Sequence, residues 1–418
     1  MDVAEANNTG REYAPSEFRG RSLLILASAV GLSTGMTATM FYSMGTLIPS
    51  IQAEFGWNRG DISLAVTIMT VGLFLSGPLA GKLCDRFGAA AVGTFSLLAY
   101  ALAVVAMTFL VRTLEVFWAF YFFIAVLGAG STPIVLVRPI SAVFQKRRGL
   151  ALGIALTGAG VAGFWVPILV SSVIEGLGWR AAYYALAATA VVAAPLVWVG
   201  FRSVERNPAD TAASLMQQGM TADEARRTPI YWLLTVMALT MAVGIAGVVV
   251  HLVPLFRDLG DTPGDAARTA SIVGLSSVLG RIAVGMLLDR FAPTLVSMVI
   301  LILAAVGIIL LWGAGLQYAV LSVALLGLAA GAEIDLLAYL TARYFGRRAY
   351  GAIYGWQYSV FALGYGLSPF LVGRLRDHFG SYDIALVCSA GLMALAALAT
   401  LWIEPANRGT ARLQHSHQ

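Results

Sequence analysis

Long stretches without a single Asp, Glu, Lys or Arg alternate with short polar breaks along most of the chain. Ten of these charge-free runs reach twenty residues: 22–53, 62–81, 87–111, 116–137, 149–174, 181–201, 228–256, 291–332, 349–373 and 384–403. About twenty apolar residues in helical form cross a bilayer. Run 291–332 is too long for one crossing, and Gly313-Ala314-Gly315 divides it. A further run, 269–288, is interrupted only by Arg281. The pattern predicts twelve transmembrane helices. The runs are apolar on every side and lack the ten-residue alternation of barrel strands, so the expected fold class is an all-α integral membrane protein.

Composition agrees. Of 418 residues, 59% are hydrophobic and 12% charged, about half the charge of a soluble domain. A water-soluble globule would lack polar cover. The net charge of +5 does not imply a nucleic-acid partner, because the basic residues are scattered rather than gathered on one stripe. They sort by side instead. With the N-terminus inside, eighteen Lys and Arg fall in inner segments, among them Lys82, Arg86, Lys146, Arg147, Arg148, Arg226 and Arg227. Seven fall outside: Arg59, Arg112, Arg180, Arg257, Arg268, Arg374 and Arg376. This bias predicts that both termini are cytoplasmic. Residues 1–20 contain no apolar stretch, so no signal peptide is expected. Cys84 and Cys388 have no CxxC partner and suggest neither metal nor disulfide.

The polar stretch 202–227 divides six predicted spans from six. The expected organisation is a tail (1–21), a six-helix bundle (22–202), a linker (203–228), a second six-helix bundle (229–403) and a second tail (404–418). The bundles also look duplicated. Gly81-Lys82-Leu83-Cys84-Asp85-Arg86 recurs 204 residues later as Gly285-Met286-Leu287-Leu288-Asp289-Arg290. Gly149, Gly153, Pro167 and Gly178 recur as Gly351, Gly355, Pro369 and Gly380, each 202 residues on. Parallel repeats of this kind build carriers that hold solute at the repeat interface near the midplane.

Gly-x-Leu-x-Asp-Arg, twice, resembles the signature of the major facilitator superfamily. Its usual ending, Gly then two basic residues, is replaced by Gly88-Ala89-Ala90 and Ala292-Pro293. Phe55-Gly56-Trp57-Asn58-Arg59, Arg148-Gly149-x-Ala151-x-Gly153 and Gly178-Trp179-Arg180 resemble the monocarboxylate-transporter and oxalate/formate-exchanger branch. The short linker and tails look bacterial. The resemblance implies two pseudo-symmetric six-helix bundles in a bacterial inner membrane. It also implies that Asp85, Arg86, Asp289 and Arg290 brace one half against the other, although helix capping and positive-inside anchoring explain them as well.

An ionisable side chain inside hydrocarbon costs at least about 2.5–3.5 kcal/mol and needs a reason. Arg281 lies eight residues before Asp289, about 12 Å into the bilayer. A guanidinium there suits a carboxylate held bidentately, or a structural ion pair. The branch pattern has an aspartate four residues before this arginine; here that position is Ser277. Arg138, similarly deep in the fourth span and followed by Pro139, is a second candidate anion contact, or a partner for a backbone carbonyl. Glu333 and Asp335 in the tenth span point to nearly opposite helix faces. One can face a cavity and carry a proton while the other pairs with Arg281. His251, near the outer end of the seventh span, is a further proton-coupling candidate. Tyr42, Tyr339, Trp356 and Tyr358, with Trp165 and Gln357, are candidate substrate-cavity liners, although aromatics in membrane helices also serve packing. GxxxG patterns at Gly31, Gly327 and Gly351 read as close helix contacts.

No Walker pattern occurs, so no nucleotide cofactor is expected and transport would run on a gradient. The leading expectation is a secondary carrier, functional as a monomer, for a small organic anion, foremost a monocarboxylate, moved with a proton or by exchange against a counter-anion. The alternative is a proton-coupled exporter of amphipathic compounds, or a permease for peptide-like solutes, on the same fold. A membrane-bound enzyme is not expected: no Gly-x-Ser-x-Gly and no metal-spaced cluster occurs in the sequence.

Overall fold

The computed structural model describes residues 21–144, 148–205, 219–288, 290–346 and 349–403. Among them every regular element is helical, and an isolated bridge joins Gly219 to Gly346. The order is α1 (Ser22–Thr34), α2 (Met36–Phe55), α3 (Arg59–Leu110), α4 (Leu114–Gly128), α5 (Pro133–Leu136), α6 (Arg138–Val143) and α7 (Arg148–Glu205). After the linker come α8 (Ala222–Arg226), α9 (Pro229–Asp258), α10 (Pro263–Leu288), α11 (Pro293–Ala314), α12 (Ala319–Phe345), α13 (Tyr350–Phe379) and α14 (Asp383–Thr400).

Nine segments among the described residues are long and apolar enough to cross a membrane, against twelve crossings expected from sequence. Two of the nine, 151–202 and 293–345, are 52 and 53 residues long, far more than one bilayer crossing requires. The first contains Gly178 at φ +82°, which breaks the helix. The second contains a 3-10 turn, Gly315–Tyr318. The 30-residue α13 is not among the nine. Gly88, at φ +84°, divides α3 in the same way. Only glycine takes such a conformation without strain, so each of these residues folds one long helix into a hairpin. The duplication is visible in the same property: Gly56 and Gly260, 204 apart, and Gly178 and Gly380, 202 apart, all have positive φ.

Apolar side chains form two main cores. One runs from Leu24 to Phe201 and takes in Ala246 and Val250 of α9, the other runs from Ala225 to Ile403, and Tyr42 and Val249 pack against both. Large apolar residues also cover the outside, including Phe95, Leu102, Leu177 and Val192, each more than two-thirds exposed. In water that surface would aggregate; in lipid it is the solvated surface.

The halves approach at backbone distance. A Cβ on Gly274 (α10) would sit 2.0 Å from the Phe164 nitrogen of α7, and one on Gly373 (α13) 2.7 Å from the Gly60 Cα of α3. Small residues here let the helices touch main chain to main chain.

Candidate functional site

Arg281 stands on α10 seven residues before its end, about 10 Å by helical rise. Its Nε lies 3.5 Å from Asp335 Oδ2 on α12, with the side chains 18% and 32% exposed. The pair is thus accessible and loose: a close guanidinium–carboxylate contact would measure about 2.7–2.9 Å. The glycines of this helix pair explain its approach. Gly280 packs on the Leu328 backbone and Gly331 on that of Ser277.

Glu333, two residues before Asp335, turns the other way, as the helical period requires. It is 2% exposed, and its Oε1 has no hydrogen-bond partner among the described residues. Tyr42 comes from the other half, on α2. Its ring packs on Gly163 of α7 and edge-on to Phe41, within electrostatic reach of both Arg281 and Glu333. Tyr365 on α13 stacks on Phe41 at 4.7 Å and lies within reach of Tyr42 and Glu333. Five side chains from α2, α10, α12 and α13 therefore converge: Arg281, Asp335, Glu333, Tyr42 and Tyr365. Sequence reasoning missed Tyr365, whose local pattern is that of any aromatic packing residue.

The other candidates are placed as follows. Arg138 begins α6 and donates Nη1 to the Gly81 carbonyl of α3 at 3.1 Å, a contact within its own half. Tyr339 points its hydroxyl at the Leu288 carbonyl, 3.5 Å away. Trp356 and Tyr358 are exposed. Gln357 is buried and accepts from Thr341 at 2.6 Å, with its own Nε2 unpartnered among the described residues. Trp165 donates to Ser33 at 2.9 Å. Arg86 is exposed, with its guanidinium 5.1 Å from the Phe87 ring centroid. Arg290 is exposed in a turn. The Asp85 side chain and all of Asp289 lie outside the described residues.

His251 belongs to a second cluster, at the end of the bundle formed by the turns after α2, α9 and α13. Arg59, buried at the start of α3, donates both Nη atoms to Asp258 at 2.6 and 2.7 Å and Nη1 to the Tyr382 hydroxyl at 3.0 Å. Arg376 donates Nη2 to the same carboxylate at 3.1 Å. Asp377 accepts from the backbone N–H of Arg59 and Gly60, the first turn of α3, where exposed N–H groups favour a carboxylate. Arg374 and Asp61 approach to 3.4 Å. His251, wholly buried, touches Tyr382, Pro369 and Ser63. All of these charged contacts except Arg376 with Asp258, which lies within the second half, join α3 of the first half to the second half, so this end of the molecule is shut. Sequence reading flagged His251 alone. The other charges looked like ordinary loop residues, because their pairing spans 118 to 318 positions.

Comparison with known proteins matches this architecture. Residues 30–358 match the Major Facilitator Superfamily. An uncharacterized MFS-type transporter of Escherichia coli (strain K12), YhjX, is 21% identical over 84% of this chain and 87% of its own. Monocarboxylate transporter 11 of Mus musculus is 24% identical over 88% and 85%. Monocarboxylate transporter 12 of Homo sapiens is 27% identical over 61% of this chain and 56% of its own. A bacterial homologue of the human lysosomal transporter Spinster, crystallised inward-facing and occupied, superposes with a TM-score of 0.68 at 17% identity, covering 94% and 97%. The sequence match, the helical architecture and the structural likeness agree, and the chain belongs to the major facilitator superfamily.

Proposed function

We propose that the protein is a secondary carrier for small organic anions, foremost monocarboxylates, working by alternating access with a proton or in exchange for a second anion. The observation that carries this reading is the Arg281–Asp335 contact. An accessible guanidinium between the halves is matched only loosely by an internal carboxylate. A substrate carboxylate competes with Asp335 for Arg281, while the Tyr42 hydroxyl approaches from the other half. Binding then bridges the two bundles. The anion's charge needs balancing, because moving one net charge costs about 2.3 kcal/mol per 100 mV of membrane potential. Glu333, a buried carboxyl that no ion pair among the described residues accounts for, is the group on which a proton rides. The named monocarboxylate transporters among the relatives support the same cargo class. The excess of basic residues in one set of loops supports a bacterial inner-membrane carrier with cytoplasmic termini, which makes the shut end the outer one. Nothing in the site requires a second subunit, and the reading is of a functional monomer.

A second reading, export of amphipathic or cationic compounds, is favoured by one observation: Asp335 already offsets Arg281, and Glu333 adds a further carboxyl. Flux in liposomes separates the two. Radiolabelled monocarboxylate uptake should accelerate when the outside is acidified, and cationic amphiphiles should not compete. Arg281→Leu should abolish binding and uptake with the elution profile and melting curve unchanged. Glu333→Gln should keep anion counterflow but lose acceleration by the pH gradient. Undiminished carboxylate uptake by Arg281→Leu overturns the proposed site.

A further inference from the structure

The shut end contains a hydrogen-bond chain whose protons can be counted. The Pro369 carbonyl, 3.0 Å from His251 Nε2, has no proton to give. Nε2 therefore carries a hydrogen and donates it, with the Ser63 oxygen, 3.1 Å from the same nitrogen, as a second acceptor. Arg59 Nη1 can only donate, so at 3.0 Å the Tyr382 oxygen accepts from it. The single Tyr382 proton then points to His251 Nδ1, 2.9 Å away, and Nδ1 is bare. The chain Arg59 to Tyr382 to His251 to Pro369 is satisfied for neutral imidazole only.

A second proton, on Nδ1, would turn toward the Tyr382 oxygen and leave the phenolic hydrogen without an acceptor in a buried place, which is costly. It would also add a cation to a crowded neighbourhood. The charged groups facing the ring are Arg59 on α3, Asp258 on α9 and Arg376 on α13. Asp61, Arg374, Asp377 and the exposed His378 stand around them. Asp258, the carboxylate within reach of the ring, already serves two guanidiniums.

We propose that His251 is a proton-binding site built into this gate, and that a proton bound there drives the two halves apart at this end. The gate then responds to acid on its own side independently of the cargo. This inference rests on alternating access alone and stands whether or not the solute is an anion. Because Ser63 and Tyr382 belong to opposite halves, the imidazole senses their separation directly.

The test uses the full chain in lipid nanodiscs, with Cys84 and Cys388 replaced by Ser. Spin labels go on the exposed positions Arg112 and Gln317, one in each half. Inter-label distances are measured at about pH 7.5 and about pH 5.5, spanning the histidine range. The wild-type ratio of long to short distances should rise at least about tenfold in acid, the effect of one pH unit of linkage. His251→Gln, which can still donate to Pro369 and accept from Tyr382, should stay closed at both pH values. His251→Asn takes its place if the glutamine variant aggregates. In a Glu333→Gln background, His251→Gln should still abolish the acid response that remains, which separates this gate from the central site. A wild-type distribution that ignores pH, or a His251→Gln variant that opens like wild type, overturns the proposal.

Discussion

At Arg281 the balance between internal and external carboxylates decides affinity. Asp335 approaches Nε at 3.5 Å, with both side chains partly exposed, so the contact is worth little more than a surface pair, about 0–1 kcal/mol. An entering anion must still displace it. Asp335→Asn removes the competitor and its charge while keeping the shape. The expected outcome is carboxylate binding about fivefold tighter, the factor equivalent to about 1 kcal/mol, read by titration of the purified carrier. Transport should become slower at the release step for the same reason. Weaker binding by Asp335→Asn would mean that Asp335 orients Arg281 for the cargo rather than competing with it.

At the scale of helices, much of the fold was legible, because lipid imposes it: each crossing must satisfy its own backbone, and charge-free runs reveal that requirement. The repeated glycines were legible too, and two of them, Gly178 and Gly380, carry the positive φ that ends or folds a helix. The Gly178-Trp179-Arg180 motif is explained by its partner. Glu54 at the end of α2 accepts from Trp179 at 2.6 Å and from Arg180 at 2.7 and 2.8 Å, which pins α2 to α7 within one half. Asp335 pairing with Arg281 was one of two alternatives that the helical period left open, and geometry selects it. Illegible were contacts between helices distant in sequence, such as Tyr365 on Phe41 or Gly274 on Phe164, because no local pattern encodes which helices touch. Gly274 supplies a prediction on this scale. Valine there meets backbone on α7, and overpacking costs about 1–3 kcal/mol. Cysteines placed at Asn58 and His378, which line one pocket across the two halves, should cross-link at least about fivefold less in Gly274→Val, by the usual conversion of 1 kcal/mol to a ratio. Gly153→Ala, where an added Cβ meets nothing within 4 Å, is the neutral control.

For the whole molecule, opening the shut end means separating Arg59 from Asp258, Gly60 from Asp377 and Thr67 from the Gly366 carbonyl, which it now meets at 2.7 Å. These contacts set the free-energy gap between the two states that a carrier must cross in each cycle, and their asymmetry is testable. Removing Arg59 leaves Asp258 with Arg376 at 3.1 Å. Removing Asp258 leaves the buried Arg59 and the nearby Arg376 facing each other with no carboxylate between them. Truncating one partner of a fully buried pair costs about 3–5 kcal/mol, and partial exposure of Asp258 reduces this to about 2 kcal/mol by the same reasoning. Asp258→Ala should therefore open this end about 30-fold more often, and Arg59→Ala no more than about fivefold, at 1.4 kcal/mol per factor of ten. The double variant should open less than Asp258→Ala alone, because the stranded cation is gone; such non-additivity identifies a direct contact. Distances between labels at positions 112 and 317 measure all three. Strict additivity would move the lock elsewhere, to the backbone contacts around Gly60 and Gly373. Because a carrier cycles through both states, the same Asp258→Ala change should slow net flux whenever closure at this end limits the cycle, while leaving carboxylate affinity at Arg281 unchanged. A loss of affinity in that variant would show that the gate and the central site are one cooperative unit.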